Sequence, residues 1–182
     1  MTKPNILYIH SHDTGRQIEP LGAPVRSPVL QSLAERGVLF RQAFCVASSC
    51  SASRASFHTG QYPHQNGMTG LAHRGWKLND YDKTLVKYLK KHGYKAALVG
   101  EHHIAPNDQT DLIGYDEVNL LGNYQADAIS AGASEWLRHN TEKYWFLSCG
   151  FWNTHRTSYP KVKPGAGKYS ATFPIYPDRP LP

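Results

Sequence analysis

No apolar run in this sequence is long enough to cross a bilayer, and Met1-Thr2-Lys3-Pro4 leads directly into a strand-like segment, leaving no room for a signal peptide. The expectation is a cytoplasmic protein, or an exported one if a leader has been removed. Cysteine is scarce. Cys45, Cys50 and Cys149 are odd in number and lack metal-finger spacing, which argues against a disulfide framework and a structural zinc site and makes reduced thiols the expectation. Long charge runs are also missing. The formal charge is +6, with 20 basic against 14 acidic residues, but the basic residues are scattered, so neither nucleic acid nor a membrane surface is an expected partner. A diffuse positive balance of this kind suits anionic small molecules.

What is present fits one folded unit: 182 residues, 40% hydrophobic and 12% aromatic. Asn5 to Ile9 is a continuous β-prone run, read as a strand buried on both faces, and it ends in the polar cluster His10 to Gly15. Open α/β sheets place their sites at such strand ends, which makes Asp13 a candidate metal ligand, although local sequence alone favours an Asx turn closed by Gly15. Ser27 to Gly37 reads as a packing helix with Pro28 in its first turn, and Val38-Leu39-Phe40 as a short strand or connector. Positions 61–82 hold Tyr62, His64, His73, Arg74 and Trp76 among glycines, a composition suited to a binding loop, with His73 and Arg74 as candidate substrate contacts.

Thr84 to His92 reads as an amphipathic helix stopped by Gly93, and Lys95 to Gly100 as a second buried strand, which together give a β-α-β pattern. Glu101, His102 and His103 stand at its end, a trio that by itself suggests a transition-metal site, although without the spacing of a helical zinc motif. Asp116 to Val118 reads as an edge strand, Gln125 to His139 as a covering helix, and Tyr144 to Phe151 as a third buried strand ending in Trp152 to Arg156. The fold class expected is therefore α/β, a predominantly parallel sheet flanked by helices over residues 1–156. Positions 157–182, with six of the 12 prolines and no periodicity, read as a Pro-rich connector.

The stretch Ser48 to Gly60 places a thiol at a helix start. Serines 49, 51 and 53 offer helix caps, the free N–H groups and the helix dipole favour an anion, and Arg54 falls one turn after Cys50 on the same face. A thiol so placed is expected to shift toward thiolate, which would make it reactive or a target for modification. Read alone, these residues equally describe a capped surface helix with a half-buried cysteine.

The order Cys50-Ser51-Ala52-Ser53-Arg54, followed by Thr59-Gly60, resembles the signature Cys-x-Pro-Ser-Arg-x-x-x-x-Thr-Gly of the type I sulfatases in the alkaline phosphatase superfamily. Gln65-Asn66-Gly67-Met68 and Gly70-Leu71 are similar to the sulfamidase branch, and the resemblance runs from Pro4 to about Pro182. It implies a sulfuric ester or sulfamate hydrolase acting on a sulfated small molecule or glycan. Cys50 would be oxidised by a maturation enzyme to formylglycine. In the family one oxygen of the hydrated aldehyde attacks sulfur, and loss of a proton from the other expels sulfate. The resemblance further implies that Arg54 holds the nucleophile, that His103 and His155 handle protons and sulfate, and that Asp13, His12 and residue 50 bind Ca2+.

Three positions depart from the family pattern. His12 replaces the first of two adjacent aspartates; either it stands outside the ligands of a Ca2+ site or it shifts the site toward a softer ion such as Mn2+ or Zn2+. Ala52 replaces the proline read by the maturation machinery, and Glu101 stands where a sulfate-binding lysine is expected. These departures support a second reading, a phosphodiesterase or phosphonate hydrolase of the same superfamily. The family's later metal ligands and second lysine find no match before Pro182. The expectation is thus a chain truncated before the C-terminal part, open to self-association through exposed sheet edges, and at most anion-binding or partner-dependent on its own.

Overall fold

The computed structural model describes residues 2–121 and 125–155. The segment 157–182, read as a connector, lies outside the described residues. Four strands, β1 (Ile6–His10), β2 (Lys95–Gly100), β3 (Glu117–Asn119) and β4 (Trp145–Gly150), form one parallel sheet in the order β1-β4-β2-β3. The helices are α1 (Pro28–Arg36), α2 (Cys50–Thr59), α3 (Pro63–Asn66), α4 (Leu85–Lys91) and α5 (Ala126–His139).

The two inner strands account for the sequence pattern. β2 and β4 are apolar at almost every position because both of their faces are covered, as parallel sheets require. On one face Leu98, Ala96 and Phe146 pack with Ala55 of α2 and with Val86 and Leu89 of α4. On the other, Ala97, Val99, Leu147 and Cys149 meet Ile129 and Ala133 of α5. The sheet thus lies between two helical layers.

β1 departs from the expectation of burial on both faces. It is an edge strand among the described residues. Ile6 and Tyr8 face the α2/α4 side, whereas Leu7 and Ile9 are 46% and 60% exposed. The physical reason is that α5 covers β2 and β4 and does not extend across β1.

Two further expectations are corrected. α1 forms as read, but none of its residues is buried, so it does not pack a core. Ser27 leaves its cap role unfilled and instead trades reciprocal bonds with Glu19: its Oγ accepts from Glu19 N at 2.9 Å, and its N–H donates to Glu19 Oε2 at 2.7 Å. Positions 61–82 are also more than a surface loop. α3 and two single 3-10 turns run through them, and Met68, Ala72 and Leu78 are core residues. Val38 to Phe40 form a connector rather than a strand.

Among the described residues, no helix is long and apolar enough to cross a membrane. Cys45, Cys50 and Cys149 are all free.

Candidate active site

Parallel strands bring their carboxyl ends to one edge of the sheet, where ligand sites of open α/β folds gather. Here the ends of β1, β4 and β2 are knitted together by backbone bonds. His12 N donates to Asn153 O at 3.1 Å, Thr154 N to His12 O at 3.2 Å, Phe151 N to His10 O at 2.9 Å, and Glu101 N to Gly150 O at 2.9 Å. The close approach depends on glycine. A Cβ on Gly150 would lie 1.8 Å from the Glu101 carbonyl oxygen, and one on Gly100, whose φ is +87°, would lie 2.2 Å from Gly150 O.

α2 points its N-terminus at this edge. The helix begins at Cys50 after extended Ser49, closes its first turn with Ser53 N donating to Ser49 O at 2.8 Å, and ends at left-handed Gly60. None of the serines caps it through a side chain. Ser49 makes no cap bond, and buried Ser51 instead accepts from Ala72 N at 3.0 Å, tying α2 to the segment that carries His73.

Cys50 and Arg54 are one turn apart, as the sequence predicts, and line a cleft of about 910 Å3 with His10, His12, Asp13, Cys45, Ser53, Phe57 and Tyr62. Arg54 reaches across to β1, where Nη1 meets His10 Nδ1 and Nη2 donates to Ser11 O at 3.3 Å. Tyr8, Glu101, Cys50 and Asp13 surround its charge.

The expected shift of Cys50 toward thiolate is not found. Burial pushes the thiol up, and this outweighs the backbone N–H groups of Ser51 and Cys50 and the charge of Arg54, which pull it down. The helix-terminus argument treated the thiol as solvated; the fold half-buries it.

A cluster of imidazoles fills the strand ends. His12 is buried, with ring centroids 4.8 Å from Trp152, 5.2 Å from His155 and 6.1 Å from His103, and among the described residues neither of its ring nitrogens has a hydrogen-bond partner. His103, at φ +58°, places Nε2 at 2.9 Å from His73 Nδ1. Burial and neighbouring positive charge hold His12 near a pKa of about 3 and His103 near about 4, so both rings are neutral at pH 7.

Glu101 is buried at the end of β2. Burial raises its pKa against the pull of Arg54 and of the backbone N–H groups of His102 and His103. His102 is not part of the cleft; its Nε2 pairs with Thr110 Oγ1 at 3.0 Å inside the protein, which makes it a core residue.

The structure therefore brings Cys50, Arg54, His12, Asp13, His103, His155, Glu101 and His73 to one edge. Asp13 lies at the rim of the cleft with φ +48°. Arg74 is exposed on the single 3-10 turn that also carries His73. Among the described residues, no group of three or more His, Cys, Asp and Glu is arranged to hold a metal ion. Sequence reasoning missed His10 and Trp152. His10 carries a signal of its own, a polar ring closing an otherwise apolar strand, whereas Trp152, stacked on His155 at 4.4 Å, looks like an ordinary strand-end aromatic until the fold is known.

Comparison with known proteins places these features in context. A sequence model of the sulfatase family matches residues 4–174. N-sulphoglucosamine sulphohydrolase of Homo sapiens is 33% identical over 147 residues, covering 78% of this chain and 29% of the relative. N-acetylgalactosamine-6-O-sulfatase of Bacteroides thetaiotaomicron is 34% identical over 119 residues, 62% of this chain and 23% of the relative. The chain thus spans less than a third of the length of these relatives. Among solved structures, one in complex with its substrate D-glucosamine-2-N,6-O-disulfate aligns over 87% of this chain and 36% of that chain, with a TM-score of 0.71 at 21% identity. The phosphonate monoester hydrolase of Agrobacterium radiobacter aligns over 85% and 42%, with a TM-score of 0.68 at 19% identity, a likeness of fold alone.

Proposed function

Because the chain belongs to the sulfatase family, we propose that its strand-end cleft is the nucleophile-bearing part of a sulfuric ester or sulfamate hydrolase, with Cys50 converted to formylglycine by a maturation enzyme. The observation that carries this reading is the pair Cys50 and Arg54, one helical turn apart on α2 and lining one cleft, with the guanidinium tethered to β1. Burial keeps the Cys50 thiol protonated, which makes an attacking thiolate a poor account of the site and favours a modified side chain at this position. When present, formylglycine supplies a hydrated aldehyde oxygen as nucleophile.

The chain's own residues have definable tasks. Arg54 holds an anionic group beside residue 50 and offsets charge that grows during transfer. His103 and His155 supply imidazoles at the strand ends beside the cleft, suited to proton transfer at the leaving group. His73 orients His103 through their shared hydrogen bond. Arg74 and His73 extend the site toward a sulfated small molecule or glycan.

The donors present fit a metal in part. Among the described residues His12 offers buried ring nitrogens without a hydrogen-bond partner and Asp13 a carboxylate at the rim, and they complete no group of three ligands. Asp13, His12 and residue 50 are thus contributors to a site for Ca2+, or for Mn2+ or Zn2+ given the imidazole. The exposed edge of β1, with Leu7 and Ile9, makes self-association part of the same reading.

Peptide mapping after co-expression with a formylglycine-generating enzyme tests the first step, and a panel of aryl sulfates, sulfamates and phosphodiesters tests the second. Conversion of Cys50 with turnover of sulfate or sulfamate esters, lost in Arg54→Ala, is the expected result. Full activity with an unmodified thiol overturns the reading, and activity on phosphorus esters alone replaces it with a phosphodiesterase or phosphonate hydrolase.

A further inference from the structure

His10 lies outside the residues assigned above, yet its ring meets the guanidinium of Arg54 directly. Arginine has hydrogens on all its side-chain nitrogens and no lone pair to offer, so His10 Nδ1 must be the acceptor and Nε2 must carry the hydrogen. That hydrogen is aimed at Ser148 Oγ on β4, 3.4 Å away. A doubly protonated ring would present N–H to N–H and lose the contact. The tautomer and the neutral state are therefore set by geometry.

The ring plane is held as well. Tyr8, two residues back on the same face of β1, stacks on His10 at 4.8 Å and 28°. Phe57 also stacks on Tyr8, at 4.6 Å and 10°, and Phe57 belongs to α2, the helix that carries Arg54. Strand and helix are thus joined by ring stacking as well as by the bond between His10 and Arg54.

We propose that His10 is the positioning residue of Arg54, its neutral imidazole fixing the guanidinium at the mouth of the cleft beside Cys50. Among the described residues the other hydrogen-bond acceptor of the guanidinium, the Ser11 carbonyl, is also uncharged, and Glu101 and Asp13 act on it through space. The consequence is specific: a carboxylate in place of His10 would orient the arginine equally well but would cancel the charge an anion needs, whereas a neutral acceptor orients it and leaves the charge whole. The inference rests on the proposed function only in naming the anion as what Arg54 is held for.

Nitrogen NMR of the 15N-labelled protein, with and without inorganic sulfate, tests both parts. The expected wild-type spectrum shows a bare Nδ1 and a protonated Nε2 on His10, with resolved Arg54 side-chain N–H signals. His10→Asn, whose amide oxygen can take the place of Nδ1, keeps those signals and the sulfate affinity. His10→Leu averages the Arg54 signals into bulk exchange and weakens sulfate by about tenfold, the scale of one charge-assisted hydrogen bond. An Nδ1-protonated His10, or Arg54 signals unchanged in His10→Leu, overturns the proposal, and the wild-type tautomer decides it if the leucine variant does not fold. If the Arg54 signals follow His10 while sulfate shifts nothing near Cys50, the positioning role stands and the anion reading of the cleft falls.

Discussion

His73 Nδ1 and His103 Nε2 face one another at 2.9 Å, with the two rings nearly parallel at 10° and 5.2 Å between centroids. One ring must donate and the other accept, so the pair cannot carry two charges without losing its bond. After burial, His73 is the largest cause of the depressed His103 pKa of about 4. In His73→Ala the His103 pKa should therefore rise toward its ordinary value, read by proton NMR titration of the ring. A His103 titration that stays near 4 in the variant would show that burial alone sets it.

Ser51 is the second test, because its position in the signature suggests chemistry and its contacts show structure. Its hydroxyl is buried and accepts from Ala72 N at 3.0 Å. Ser51→Ala leaves that N–H without a partner and should cost about 1–3 kcal/mol, a drop of several degrees in Tm by circular dichroism. Unchanged stability would mean that water or a shifted backbone satisfies Ala72.

The buried imidazoles predict a stability that depends on pH. His10, His12, His58, His102 and His103 all have pKa values lowered by burial, to between about 2 and about 4. The unfolded chain, with histidines near 6.5, binds more protons than the folded one between those limits, so stability rises with pH in that window. It is fully present above about pH 7 and is lost as pH falls from about 6.5 toward 4. Glu101, shifted upward by burial, acts in the opposite sense and is one group against five. Thermal melts should fall by roughly 10 °C or more between pH 7.5 and 5; a flat profile would contradict the burial of these rings.

The proposed metal site has its test at His12. An imidazole beside Asp13 favours Mn2+ or Zn2+ over Ca2+ relative to a site of two carboxylates. Calorimetric titration of the protein with each ion should rank Ca2+ below Mn2+, and His12→Asp should reverse that order. Equal heats from the wild type and His12→Ala would remove His12 from the ligand set.

The sequence by itself determined the four strands, the helices α1, α2, α4 and α5, and the order of the strand-end clusters. It could do so because buried parallel strands read as apolar runs and helix ends carry their own punctuation, as Gly60 and Gly93 do for α2 and α4. It also placed Cys50 and Arg54 on one helical face, since a turn of helix is a local property. Whatever depends on which surfaces are covered was decided only by tertiary structure. β2 and β4 are buried twice over because they lie between neighbours and beneath helices, while β1, equally apolar in sequence, exposes Leu7 and Ile9. The thiol of Cys50 rises instead of falling because burial outweighs a helix terminus, and the long-range bonds of Ser51 with Ala72, His73 with His103 and Arg54 with His10 have no sequence signal. Local propensity fixes where elements begin and end; solvation and contact across the sheet fix what each side chain meets.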